Sequence, residues 1–368
     1  MKKLVAVAVY GLCAALLQGC GGGGAGGARP PGETVPPPPN EQFTIVPAAQ
    51  VGMDGAVLEG AEASLPAPGE HLLASMLVLR HGKPVLEKYW NGYTKDSLHD
   101  MRSATKSITS LMVGIAIDKG MLGGVDQPIG THLAASYPGA PALQHNITLR
   151  HLLTMNSGLS CNDSDANSPG HESKMYQSRD WVQFFLNLPA LAAPGSKTSY
   201  CTGGVVALGR VVSEASKRKV PDFADAFLFG PLQVAGARWE EFDERRQTDT
   251  GGHLHLRPRD MAKIGQLVLQ KGKWNGAQLV SEAWIAQSTS EHTRYENTAR
   301  YGYLWWIVSI PYKGRTVEVQ YASGNGGQSI FVVPELDLVA VFTGENYDSN
   351  KAIQGRNLLT KYIIPSVL

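Results

Sequence analysis

Near the start of the chain lie two β-rich runs, Ala74-Ser-Met-Leu-Val-Leu-Arg80 and Val85-Leu-Glu-Lys-Tyr-Trp90, separated by His81-Gly82-Lys83-Pro84. Branched and aromatic residues on either side of a Gly/Pro break predict a β-hairpin. The pattern returns in Tyr303 to Ile310, Thr316 to Ala322, Ser329 to Val333 and Leu336 to Phe342, broken by Pro311, Gly314, the Gly324 to Gly327 loop and Pro334. Such short connections favour antiparallel pairing.

Between these ends the apolar period changes from two to 3.6. Ile108, Leu111, Met112 and Ile115 mark one helix, and Val205, Leu208, Val211 and Val212 a second. Met261, Ile264, Leu267 and Val268 mark a third, opened by Pro258 and closed by Gly272. Strands, then helices, then strands predict an α+β fold. Both chain ends, residues 43–120 and 250–368, supply an antiparallel sheet flanked by helices, and about 121–249 form a mainly helical insertion. The cleft between the two parts is the expected site. No repeat of about 20 to 50 residues interrupts this plan.

Composition narrows the function. With 368 residues the chain can bury a large core, and 43% hydrophobic against 18% charged residues place it in the globular class. Lys+Arg 33 against Asp+Glu 32 leaves no field to attract a polyanion, which argues against a nucleic-acid partner.

The first residues read as a targeting segment: Lys2 and Lys3, then an apolar run from Leu4 to Leu17, too short for a comfortable membrane span. Leu17-Gln-Gly-Cys20 resembles the bacterial lipobox. That resemblance implies a signal peptide over residues 1–19 and lipid on Cys20. Gly21, not Asp, after the cysteine implies sorting to the outer membrane, facing the periplasm. An ordinary secretory signal with an incidental cysteine is the alternative. Residues 20–42, Gly-rich and then Pro-rich, read as a tether, and the folded body begins near Phe43. Of four cysteines, Cys13 leaves with the signal and Cys20 takes lipid, so the body keeps Cys161 and Cys201. In an oxidising compartment they are a disulfide candidate, closing a loop of about 40 residues for roughly 4 kcal/mol. Two buried thiols are the alternative.

Ser103-Ala-Thr-Lys106 begins the first helix. Residues three apart share a helix face, so an ammonium group there reaches the hydroxyl. A serine hydroxyl is a poor nucleophile until a base takes its proton, and a lysine serves only where its surroundings favour the neutral amine. The helix N-terminus favours a developing anion near Ser103. A serine at a helix start is equally an N-cap, and the stripe Ser103, Lys106, Ser107, Ser110, Gly114 would be an ordinary solvated face if it met water. A third group is needed to shuttle the proton, and Tyr200, just before the second helix, is the candidate.

Three segments carry a family resemblance. Met101-Arg-Ser-Ala-Thr-Lys-Ser-Ile-Thr109, Ile147-Thr-Leu-Arg-His-Leu-Leu-Thr-Met-Asn-Ser-Gly-Leu159 and Pro194-Gly-(x)4-Tyr200-Cys resemble the serine β-lactamase-related hydrolases. That group includes class C β-lactamases, D,D-peptidases, family VIII esterases and nylon-oligomer hydrolases. Arg257 to Gly265, Tyr301 to Trp306 and Gly324 to Gln328 continue the likeness, which covers nearly all of residues 45–368. It implies that Ser103 is acylated and that Lys106 and Tyr200 share the proton transfers. The oxyanion would be held by backbone N–H groups of Ser103 and Asn325, beside Ser323 and Gly324. No metal or organic cofactor is implied.

Two positions depart from the family. Its second motif, Tyr-x-Asn, reads Tyr200-Cys201-Thr202, and its third, Lys-Thr-Gly, reads Ala322-Ser323-Gly324. Without that lysine a substrate carboxylate loses a charge-assisted partner, so small esters, amides or peptides move ahead of penicillins. Arg80, Arg102 or Arg257 are the cations available as substitutes. A D,D-peptidase or weak β-lactamase, and an anchored binding protein of the same fold, are the competing readings.

Other patterns carry less. There is no G-x-S-x-G elbow. His253-Leu-His255 lacks the carboxylate or cysteine cluster of a metal site. Gly324-Asn-Gly-Gly lies between strands, the wrong context for a phosphate loop. Trp305-Trp306 could line the cleft, although adjacent aromatics in a strand are usually one core and one edge residue. Residues 160–180 and 286–300 read as loops that set the substrate.

Overall fold

The structure, a computed structural model, describes residues 43–241, 243–295 and 298–368. The expected signal segment, Cys20 and the tether lie outside these residues. Among the described residues no helix is long and apolar enough to cross a membrane.

Strands β1 (Leu73–Arg80) and β2 (Lys83–Tyr89) form the expected hairpin. His81 and Gly82 turn it with φ of 52° and 69°, the left-handed backbone that matches strand twist in tight hairpins. The main helices are α1 (Thr105–Asp118), α2 (Thr202–Ser216) and α3 (Pro258–Leu269). The chain then returns to the sheet as β3 (Thr293–Tyr295), β4 (Ala299–Tyr301), β5 (Trp306–Tyr312), β6 (Arg315–Gly324), β7 (Gln328–Val333) and β8 (Leu338–Gly344).

The eight strands lie in the order β2-β1-β8-β7-β6-β5-β4-β3, each pair antiparallel. The N-terminal hairpin therefore docks on the last strand, with Met76 opposite Phe342. Alternate side chains serve different cores. Leu77, Ile330, Val339 and Val341 join the helices of the middle of the chain. Met76, Phe331, Ala340 and Phe342 pack with helix Gly55–Ala63 and the C-terminal helical turns. Burial on both faces is why the central strands read as continuous apolar runs. The expected α+β architecture is the one observed.

Several boundaries differ from expectation for local reasons. β5 starts at Trp306, because Leu304 turns the chain at φ 63° while the Tyr303 and Leu304 N–H groups donate to Ser288 and Leu153. Pro311 does not break β5; β4 pairs only as far as Ile307, so no neighbour needs the missing N–H. Pro334–Leu336 form a 3-10 turn, and β8 begins only at Leu338. The expected loops hold helices Glu172–Tyr176 and Glu282–Ser288 and the edge strands β3 and β4.

Helix α1 is buried on every side. Lys106, Ser107 and Ser110 are inside, Ser107 Oγ donates to the Leu304 carbonyl at 2.6 Å, and a Cβ on Gly114 would stand 2.3 Å from the Trp284 ring. The polar stripe is thus a packed face, and its lysine meets protein rather than water.

Candidate active site

The site begins at the turn before α1. Asp100 Oδ1 accepts the Arg102 N–H at 2.9 Å, and Arg102 takes φ 48°, a left-handed conformation costing a residue with a Cβ about 1–2 kcal/mol. Strain of this kind persists only where the surroundings enforce it, commonly at functional sites. It delivers Ser103, half-buried, in the 3-10 turn Arg102–Ala104 at the head of α1. Ser103 is not a side-chain cap, since the cap position of α1 is Ala104.

One turn on, Lys106 is 1% exposed. Its Nζ donates to Ser103 Oγ at 3.0 Å, to Thr202 Oγ1 at 3.1 Å and to the Gly251 carbonyl at 2.6 Å. It also lies 4.8 Å from the centre of the Tyr200 ring, a cation–π distance. Tyr200 is half-buried, stacked on Trp306 at 6.1 Å and tilted against Tyr295 at 6.0 Å. Trp305 is fully buried while its neighbour Trp306 faces Tyr200, the split expected from sequence.

The loop after residue 160 holds Tyr200 and Thr202 in place. Cys161 and Cys201 form a disulfide with Cα atoms 5.5 Å apart, as expected. Ser199 Oγ donates to the Cys161 carbonyl at 2.5 Å, and Asp163 N–H to the Tyr200 carbonyl at 2.8 Å. Asp163 Oδ2 in turn accepts the Thr202 N–H at 2.6 Å, at the start of α2. Burial and then the neighbouring Glu172 charge push the Asp163 carboxyl up to about 7. Glu172 Oε2 accepts the Thr202 hydroxyl at 2.9 Å.

A second carboxylate sets the Gly251 carbonyl. Asp249 Oδ1 accepts the Gly251 and Gly252 N–H groups at 3.0 and 2.8 Å, and burial raises its carboxyl against the pull of His253 and Lys106. His253 Nδ1 pairs with Asp100 Oδ2 at 2.8 Å. Burial pulls this imidazole down, but the bond and charge of Asp100 outweigh it and leave it raised. The His253-Leu-His255 pair thus supports the Ser103 turn through Asp100.

The third motif closes the site from the sheet. β6 ends at Gly324, where a Cβ would lie 2.1 Å from the Met101 carbonyl oxygen, so only glycine lets the strand end meet the Ser103 turn. Ser323 and Asn325 flank it, both half-buried. The Asn325 side chain is occupied with Asp348, donating to Oδ1 at 2.8 Å and accepting its N–H at 3.0 Å.

Of the three arginines considered as replacements for the missing lysine, two are elsewhere. Arg80 bonds the Gly52 and Leu336 carbonyls, and Arg257 is fully buried against Asp260 at 2.7 Å. Arg102 adjoins Ser103, held 3.1 Å from His253 Nε2 and 5.1 Å from the Tyr347 ring centre. Asp163, Glu172, Asp249 and the Gly251 carbonyl were not singled out in the sequence. For Asp163 the disulfide was a signal, since it draws residues near 161 to the Tyr200 loop.

A mixed fold with a large antiparallel sheet, closed against a helix that starts Ser-x-x-Lys, is the β-lactamase/penicillin-binding-protein-like fold. Sequence and structure comparisons agree. The Beta-lactamase family profile matches residues 59–358, and the chain belongs to that family of hydrolases. A 6-aminohexanoate-dimer hydrolase of Paenarthrobacter ureafaciens is 22% identical over 287 residues, 73% of this chain and 71% of the relative. Among solved structures, a putative 6-aminohexanoate-dimer hydrolase from Bacillus anthracis superposes with TM-score 0.67 at 19% identity, covering 79% of this chain and 78% of the other. A class C β-lactamase from Rhodobacter sphaeroides gives 0.63 at 15% identity, covering 84% and 99%.

Proposed function

We propose that this chain is a serine hydrolase that forms an acyl-enzyme on Ser103 and acts on small esters or amides. The observation that carries the reading is the 3.0 Å contact between Ser103 Oγ and the Nζ of Lys106, a lysine withdrawn from water beside Tyr200. The Ser103 proton passes to the Lys106/Tyr200 pair as Oγ bonds to the substrate carbonyl carbon. The tetrahedral oxyanion is held by the backbone N–H groups of Ser103 and Asn325. Collapse breaks the bond to the leaving group, which takes the proton back, and water then cleaves the Ser103 ester by the same transfers in reverse.

The named relatives include a 6-aminohexanoate-dimer hydrolase and a class C β-lactamase. Ala322, fully buried where the third motif carries lysine, favours the ester and amide side of that range. Arg102 beside Ser103 favours a second reading, recognition of a substrate carboxylate as in a D,D-peptidase or weak β-lactamase. Fluorophosphonate and labelled-penicillin probes separate the readings. Fluorophosphonate labelling with p-nitrophenyl ester turnover, both abolished in Ser103→Ala, supports the first; stoichiometric penicillin labelling supports the second. A wild-type protein inert to both is a binding protein of this fold.

We further propose that Cys20 carries lipid and anchors the domain, facing the periplasm, to the outer membrane. Palmitate labelling in a bacterial host, lost in Cys20→Ser, is the expected result, and fractionation locates the membrane.

A further inference from the structure

Lys106 touches three oxygen atoms that differ in what they accept and donate. The Gly251 carbonyl, at 2.6 Å, only accepts. The Thr202 hydroxyl, at 3.1 Å, could do either, but its own proton goes to Glu172 Oε2 at 2.9 Å. A carboxylate only accepts, so Thr202 is left as an acceptor toward Lys106. Ser103 Oγ, at 3.0 Å, is the one partner with a proton free to give.

We propose that Glu172 is a positioning residue that acts through Thr202 to aim the lone pair of neutral Lys106 at Ser103. A neutral amine has two N–H bonds and one lone pair. With Gly251 and Thr202 taking the two hydrogens, the lone pair is left toward Ser103 Oγ at 3.0 Å. When Lys106 takes the Ser103 proton, the resulting ammonium has three N–H bonds for three acceptors, and no heavy atom need move.

The elements around Lys106 hold Glu172 in register. Asp163 Oδ1 accepts the Glu172 N–H at 2.9 Å while its Oδ2 accepts the Thr202 N–H at 2.6 Å, so one buried carboxyl spaces both members of the relay. Asp249, with Tyr176 OH on its Oδ2 at 3.3 Å, fixes the Gly251 side, and Tyr200 covers the ammonium.

The inference rests on Lys106 being the base for Ser103, and the test separates the two. Acylation is followed as the single-turnover burst with p-nitrophenyl acetate, in wild type and in Thr202→Val, Thr202→Ser, Glu172→Gln, the double Thr202→Val/Glu172→Gln and Lys106→Ala. Thr202→Val and Glu172→Gln should each slow acylation roughly 10- to 100-fold with little change in KM, and Thr202→Ser should stay near wild type. The double variant should be no slower than Thr202→Val, because Glu172 acts only through that hydroxyl. Wild-type acylation in Thr202→Val, or a Glu172→Gln loss that persists undiminished in the Thr202→Val background, overturns the proposal. Normal acylation in Lys106→Ala instead overturns the base assignment beneath it. If Glu172→Gln does not fold, the contrast between Thr202→Ser and Thr202→Val decides.

Discussion

Gly324 at the end of β6 meets the carbonyl of Met101 so closely that a Cβ would stand 2.1 Å from its oxygen. The contact joins the sheet to the turn that presents Ser103. Ser103 lies two residues after Met101 and Asn325 one after Gly324, so the contact brings their chain segments together.

Gly324→Ala should therefore push the turn and strand apart. Overpacking of this kind costs about 1–3 kcal/mol, and the proposed oxyanion donors would lose their spacing, lowering acylation by about 10²-fold. Thermal melts and burst kinetics on the variant check both. An active, fully stable Gly324→Ala would show that the spacing is not critical.

Lys106→Ala and Tyr200→Phe should each cut acylation by about 10²- to 10⁴-fold, since proton-transfer groups act as a unit. Circular dichroism should remain native-like. Turnover near wild type in either variant contradicts the assigned roles.

The Cys161–Cys201 bridge ties the Tyr200 loop to the loop carrying Asp163. Reduction should lower Tm and activity together, the stability loss reaching about 4 kcal/mol on the chain-entropy estimate. Free thiols in unreduced peptides by mass spectrometry would remove the basis for this expectation.

Asp163 gives a pH signature in stability. Its carboxyl titrates at about 7 in the folded protein against 3.8 as the ordinary value. Between those values the native state binds more protons than the unfolded chain, so the Asp163 contribution is greatest at low pH and is lost as pH rises through 7. Asp163→Asn cannot titrate and should gain on wild type between about pH 4 and pH 7, then level off, whatever its offset. A Tm difference constant with pH argues against the raised carboxyl.

Much of this protein was written in local pattern. The His81-Gly82 turn, the strands on either side and the three apolar helical stripes depend on residues a few positions apart, where backbone sterics and side-chain period act directly. The i, i+3 spacing of Ser103 and Lys106 is of the same kind, and the cysteine pair followed from counting. What surrounds Lys106 was not readable in this way. Thr202 and Gly251 reach it from 96 and 145 residues away, and Glu172 and Asp249 arrive only when the helical middle of the chain closes over α1. Local spacing singled out the lysine and its serine; the identity and direction of the other partners rest on buried hydrogen bonds that form only in the assembled fold.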